Sequence, residues 1–234
     1  MIFASPLLII AFAGLLHASF QLGVSLLTLL GGHSLGLGRS QRRLTQLNIA
    51  YLSGAAVVTI LFFSSVAYFV DFGFRNNQEL VWLCFSLLNM VIGLTVMVFY
   101  YRREKGTGLW IPRAMAKYLT RRTKKTTHTA EAFTLGAGGV LAENPFIIGP
   151  LGLAVLYTLS QASASEQLAS LLLYSLVSLA PLLAIVAMIS SGYKISTIQR
   201  WREDNKLFLQ YCAGSGLVIL GSFVFIDQFI GNSL

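Results

Sequence analysis

Glu143, Asn144 and Pro145 stand together near the centre of a long apolar stretch, residues 130–159. A carboxylate in hydrocarbon is costly, and a proline inside a helix leaves a carbonyl without its amide partner. Such residues face a cavity or another helix and are candidates for binding or proton exchange. A second set lies in the first apolar stretch, 3–31. There His17, Gln21 and Ser25 recur at i, i+4 and i+8, which puts them on one helical face. His33 follows in a glycine-rich run, and Asn48 and Asn89 add amides at the start of the second stretch and within the third. A carboxylate, imidazoles and amide oxygens around a shared space can hold a proton, a divalent cation or the amino group of a small metabolite. Imidazole suits transition metals and oxygen suits harder ions, so His17, His33 and Glu143 are the ligand candidates if a metal binds. The metal signal is weak, because the chain has no His-x-x-x-His and no acid-rich loop.

These residues need an apolar scaffold to hold them. The chain is 55% hydrophobic and 11% charged, with a mean hydropathy of +0.70, too apolar for the surface of a soluble domain of this length. Six stretches are long enough to cross about 30 Å of hydrocarbon as helix, which takes about 20 residues each. They lie at 3–31, 47–71, 80–101, 130–159, 167–190 and 207–231. The expected fold is an all-α polytopic membrane protein. The first stretch has no basic leader and stays apolar too long for a signal peptide, so it is read as a retained span.

Charge sets the orientation. Of the 17 basic residues, all but Arg75 fall in the first, third and fifth loops. The positive-inside rule puts those loops in the cytoplasm and both termini outside, most simply across a bacterial cytoplasmic membrane. Topology then accounts for the net +8, and no nucleic-acid partner is required. The expected partners are the bilayer and a small solute or ion, and assembly into a homo-oligomer is left open. Residues 109–125 of the third loop can form a basic amphipathic helix along an anionic leaflet, with Trp110, Met115, Tyr118 and Leu119 on one face. Cys84 and Cys212 fall at opposite depths, too far apart for a disulfide, and are read as inert packing residues.

Three spans on each side of the third loop suggest two inverted three-helix repeats, 1–101 and 130–234, joined by a basic cytoplasmic linker at 102–129. Phe20-Gln21-Leu22-Gly23 echoes Phe133-Thr134-Leu135-Gly136, and Gly93-Leu94 echoes Gly216-Leu217. Glycines between Gly31 and Gly38, and Gly136, Pro145, Gly149 and Pro150, predict that the first and fourth helices are both broken. Interrupted helices at corresponding places in two halves mark a binding site.

Ala132-Phe133-Thr134-Leu135-Gly136, followed by Asn144-Pro145-Phe146-Ile147-Ile148-Gly149-Pro150-Leu151-Gly152, resembles the fourth span of the CcdA/DsbD-type membrane electron carriers, within the LysE-like superfamily of 3+3 transporters. That family's pattern is A-F-x-L-G, then P-C-x-x-P-x-L. The resemblance implies a scaffold of two facing broken helices with alternating access between them. Phe146 stands where those carriers have a reactive cysteine, and neither the first nor the fourth span has one. Exchange chemistry needs a thiolate, so the redox activity is not expected to carry over.

The leading expectation is a secondary transporter of a small solute or ion, a divalent cation, a proton-coupled metabolite or an amino acid. The alternative is a non-transporting scaffold or maturation factor derived from a CcdA-like carrier. No nucleotide-binding glycine loop occurs, and no nucleophile–base pair emerges. Neither an enzyme nor a resident cofactor is therefore expected.

Overall fold

A computed structural model describes residues 5–20, 24–28, 30, 41–74, 77–99, 118–119, 121–123, 126–191 and 195–230. All regular structure among these residues is helical. The helices are α1 (Pro6–Ser19), α2 (Gln41–Gly73), α3 (Gln78–Phe99), α4 (Thr129–Leu159), α5 (Ala164–Ser190), α6 (Ile195–Asp204) and α7 (Lys206–Phe225), with a π-helical turn at Ile226–Ile230. Five are long and apolar enough to cross a membrane, namely α2, α3, α4, α5 and α7 with its π turn. The protein is an α-helical integral membrane protein.

Helix ends follow local chemistry. Pro6 opens α1, where its missing N–H costs nothing. Glu131 reaches back to accept from the amides of Thr127 (2.8 Å) and His128 (3.3 Å) at the start of α4. Ser163 and Glu166 form a reciprocal capping box on α5.

The first and fourth helices differ from expectation in opposite ways. The expected first span, 3–31, is divided. α1 has 14 residues, about 21 Å of helix and short of a 30 Å core. It closes with a tightened turn, Phe20 N–H to His17 O at 3.1 Å, and Phe20 itself is extended. Helix resumes over 24–28. The glycine-rich run at 31–38, where the break was expected, lies outside the described residues. α4, in contrast, is continuous through Pro145 and Pro150, which corrects the expectation of a broken fourth helix. The helix runs through both prolines, with Pro150 buried and Pro145 exposed. In its most apolar window 72% of the residues are buried, against 28% for α2 and 39% at most for α3, α5 and α7. α4 is the central helix, packed against α1, α2, α3 and α5, with Leu141 and Pro145 left exposed.

The outer helices show the reverse pattern. Leu61, Phe69, Phe72, Val98, Leu176 and Ile219 are all exposed, as expected of side chains that face lipid rather than water. Cys84 and Cys212 are free and also exposed, so neither packs in the core as expected.

Lipid tails are as apolar as leucine, so helices in a bilayer associate through close packing at small residues. α3 runs antiparallel to both α4 and α7. Against α4, Asn89 meets Gly149 and Trp82 meets Tyr157 edge-on. Against α7, Gly93 and Gly214 bring their backbones together, and Gln210 Nε2 donates to the carbonyls of Val96 and Met97 at 2.8 Å each. α2 crosses α4 backbone to backbone. A Cβ on Gly54 would collide with the Phe133 carbonyl, and one on Gly136 with the Tyr51 carbonyl. α1 crosses α5 where Gly14 meets Val177 and the Tyr174 carbonyl. Of the expected basic helix at 109–125, residues 109–117, 120 and 124–125 lie outside the described residues, and the remainder is helical, with Leu119 buried.

Candidate functional site

A partly open cavity lies between the two crossings, among α1, α2, α4, α5 and the 24–28 helix, lined by His17, Phe20, Tyr51, Glu143, Ser178 and Pro181, among others. Its volume is about 20 Å3, enough for one water, which needs at least about 10–15 Å3. Glu143 is 6% exposed and His17 is 4% exposed. Glu143 lies fourteen residues into α4, about 21 Å along the helix at 1.5 Å per residue and near its middle.

Each functional side chain is set by its own helix. His17 lies in the last turn of α1, with Nδ1 2.9 Å from the Tyr174 hydroxyl of α5. The two rings are 5.7 Å apart, and Phe63 of α2 packs on Tyr174 at 5.1 Å from the other side. Tyr51 of α2 shares the cavity with Glu143 and interacts with it electrostatically. A buried phenol needs a polar partner, so both tyrosines are positioned by chemistry as well as by packing. The Ser178 hydroxyl donates to the Ser175 carbonyl at 3.1 Å, which leaves its oxygen able to accept at the cavity wall.

The sequence-predicted residues divide into three groups. His17 and Glu143 come from distant parts of the chain and meet at the cavity. Asn144 and Pro145 sit beside Glu143 on α4. Asn144 Oδ1 is buried without a hydrogen-bond partner, while Pro145 lies within unbroken helix. Ser25, in the 24–28 helix, is half-buried and is not among the residues lining the cavity. Gln21 and His33 lie outside the described residues. Asn48 is fully buried with neither end of its amide paired, and Asn89 spends its Nδ2 on the Phe85 carbonyl at 2.8 Å with Oδ1 unpaired. Among the described residues, no group of three or more His, Cys, Asp or Glu gathers as a metal cluster.

Sequence reasoning missed Tyr51, Tyr174, Ser178 and Pro181. Tyr174, eight residues into the 167–190 stretch, was the available signal, since an interfacial tyrosine belongs near a helix end, whereas Tyr51, five residues into 47–71, gave none. Pro181, inside α5, was a second. Phe146, at the position resembling the carriers' reactive cysteine, stacks on Phe20 with ring centroids 5.6 Å apart. The aromatic pair bounds the cavity through Phe20.

A larger cavity of about 320 Å3 lies on the other face of α4, lined by Tyr118, Arg122, Thr126, Glu131 and Thr134. On a helix of 3.6 residues per turn, Glu131, Leu135 and Gly138 face away from Gly136, Val140 and Glu143, so the two cavities are separate.

No family model, curated protein or solved structure matches this chain.

Proposed function

We propose that this chain is a secondary membrane transporter of a small solute or ion, working by alternating access between two inverted three-helix halves, 1–101 and 130–234. The observation that carries the reading is the pair of crossings around one cavity. α1 meets α5 at Gly14 and Tyr174, while α4 meets α2 at Gly136 and Tyr51. Exchanging the halves turns one contact into the other, and it turns the Gly93–Gly214 contact into itself. This supports an inverted repeat with Gly14, rather than Gly23, as the counterpart of Gly136. The site draws His17 from one half and Glu143 from the other, at the interface between halves where such transporters bind their cargo.

Scaffold and charge fit the same reading. Continuity of α4 places the interruption in the first half alone. The basic first, third and fifth loops support cytoplasmic placement of those loops, with both termini outside. The CcdA-like scaffold is retained as a proposal without its redox chemistry, because Phe146 and Phe20 occupy the reactive position. A cavity of about 20 Å3 takes a water or a bare ion, so an amino acid or metabolite enters only when a crossing opens.

The test is thermal unfolding of detergent-purified protein against a panel of divalent cations, amino acids and thiols, on wild type and Glu143→Gln. A ligand that raises the midpoint of the wild type alone supports the reading. A saturating ligand at 100 times its Kd adds about 2.7 kcal/mol, an easily measured shift. Equal response of both proteins, or none from either across the panel, sinks Glu143 as a cargo residue and favours the scaffold alternative.

A further inference from the structure

Resting on the transporter reading, we propose that the coupling ion is the proton, held by Glu143 and exchanged with His17 through the single water that the cavity admits. Three observations carry this. Glu143 of α4 and His17 of α1 line the same cavity, whose volume of about 20 Å3 is enough for one water. Each group is backed by a phenol on a further helix: Tyr174 of α5 bonds His17 Nδ1 at 2.9 Å, and Tyr51 of α2 stands beside Glu143. The surroundings also disfavour a divalent cation. Calcium takes six to eight oxygens and magnesium near-octahedral geometry, while Glu143 is the one carboxylate lining the cavity among the described residues and no group of three or more His, Cys, Asp or Glu gathers among them.

Among the described residues, the titratable and polar groups lining the cavity with Glu143 and His17 are these. α1 supplies His17, α2 supplies Tyr51 and α5 supplies Tyr174 behind the imidazole, with Ser178 at the wall. Among the described residues, α3 and α7 supply no lining residue, and no lysine or arginine lines the cavity. The transfer conserves atoms and electrons. The Glu143 carboxyl gives its proton to the water, and the water passes one to the His17 nitrogen that Tyr174 does not engage, in the tautomer whose Nδ1–H donates to the phenol oxygen. The products are a carboxylate and an imidazolium, with the water regenerated. The Ser178 oxygen accepts from that water while it turns. Because the acid belongs to one half and the base to the other, separating the halves separates donor from acceptor. Proton release is thereby tied to which side is open.

The test is pH-difference infrared spectroscopy of the full chain in lipid nanodiscs, which sees a protonated carboxyl directly and needs no knowledge of the cargo. The expected wild-type result is a carboxylic acid C=O band that grows as pH falls from 8 to 5 and is missing from Glu143→Gln. Glu143→Asp keeps a band, which guards against misfolding of the amide variant. His17→Gln moves the band's midpoint by about one pH unit, the size of interaction that makes two titrations a coupled pair. A spectrum unchanged in Glu143→Gln overturns the proposal, as does a midpoint indifferent to His17→Gln. Displacement of the midpoint by sodium or magnesium at constant ionic strength also overturns it, because the cavity would then be a cation site. If the proton assignment fails while ligand stabilisation still depends on Glu143, the transporter reading survives. If the band is present but no ligand depends on Glu143, the transporter reading fails instead.

Discussion

The two crossings that flank the cavity are counterparts, yet they are built differently. α2 meets α4 backbone to backbone, with Gly54 against the Phe133 carbonyl and Gly136 against the Tyr51 carbonyl, so close that no Cβ fits at either glycine. α1 meets α5 through a single glycine, where a Cβ on Gly14 would stand 3.1 Å from Val177 Cβ and 3.2 Å from the Tyr174 carbonyl. The first contact has no soft element to yield. The second is less close, with the nearest atoms beyond 3 Å from that Cβ, and carries the His17–Tyr174 hydrogen bond. In a bilayer, where association depends on close packing, the α2–α4 pair behaves as a clamp and the α1–α5 pair as the place where movement costs least.

Mutations can break or sharpen that contrast. The largest effect belongs to Gly136→Ala, because the obstructing atom is a backbone oxygen. Overpacking a tight site costs about 1–3 kcal/mol and sometimes more, so a loss at or above about 3 kcal/mol is expected in unfolding experiments in detergent. Gly14→Ala is expected to cost about 1 kcal/mol, at the lower end of the same range, since Val177 can shift by a few tenths of an ångström. Should the two variants lose equal stability, the contrast between clamp and moving contact collapses. Smallest is Tyr174→Phe, which keeps the ring packed on Phe63 and removes only the hydroxyl. About 0.5–1.5 kcal/mol is expected for the lost hydrogen bond, read as a lower unfolding midpoint. The same variant should shift the infrared titration of the Glu143 band, whereas Gly14→Ala should not.

The contrast also explains what was legible beforehand. Glu143 and His17 were visible because an ionisable group inside an apolar stretch needs a reason, and the structure brings both to one cavity. Ser25 shared the helical stripe of His17 on the assumption of one continuous helix through residue 31. The end of α1 at Ser19, with Phe20 extended, invalidates that periodicity. Pro145 and Pro150 were read as a break because proline removes an amide and crowds the preceding turn. α4 stays helical although Pro145 is exposed, because a chain in hydrocarbon must satisfy its backbone groups internally and helix does so. Tyr51 and Tyr174 passed unremarked, since a tyrosine in an apolar stretch reads as ordinary bulk until its hydroxyl is seen to have a polar neighbour.

Composition and local order therefore determined the membrane-spanning class, the positions of the five long helices though not of the first, the loops that carry positive charge and the two ionisable residues at the cavity. These are consequences of transfer energy and helical periodicity, which act on short windows of chain. Tertiary structure alone decided that α4 is central and unbroken, that Tyr174 backs His17 while Tyr51 backs Glu143, and that the space between them admits about one water. Those outcomes depend on which glycine meets which carbonyl across residues far apart in the chain, and no local window contains both partners.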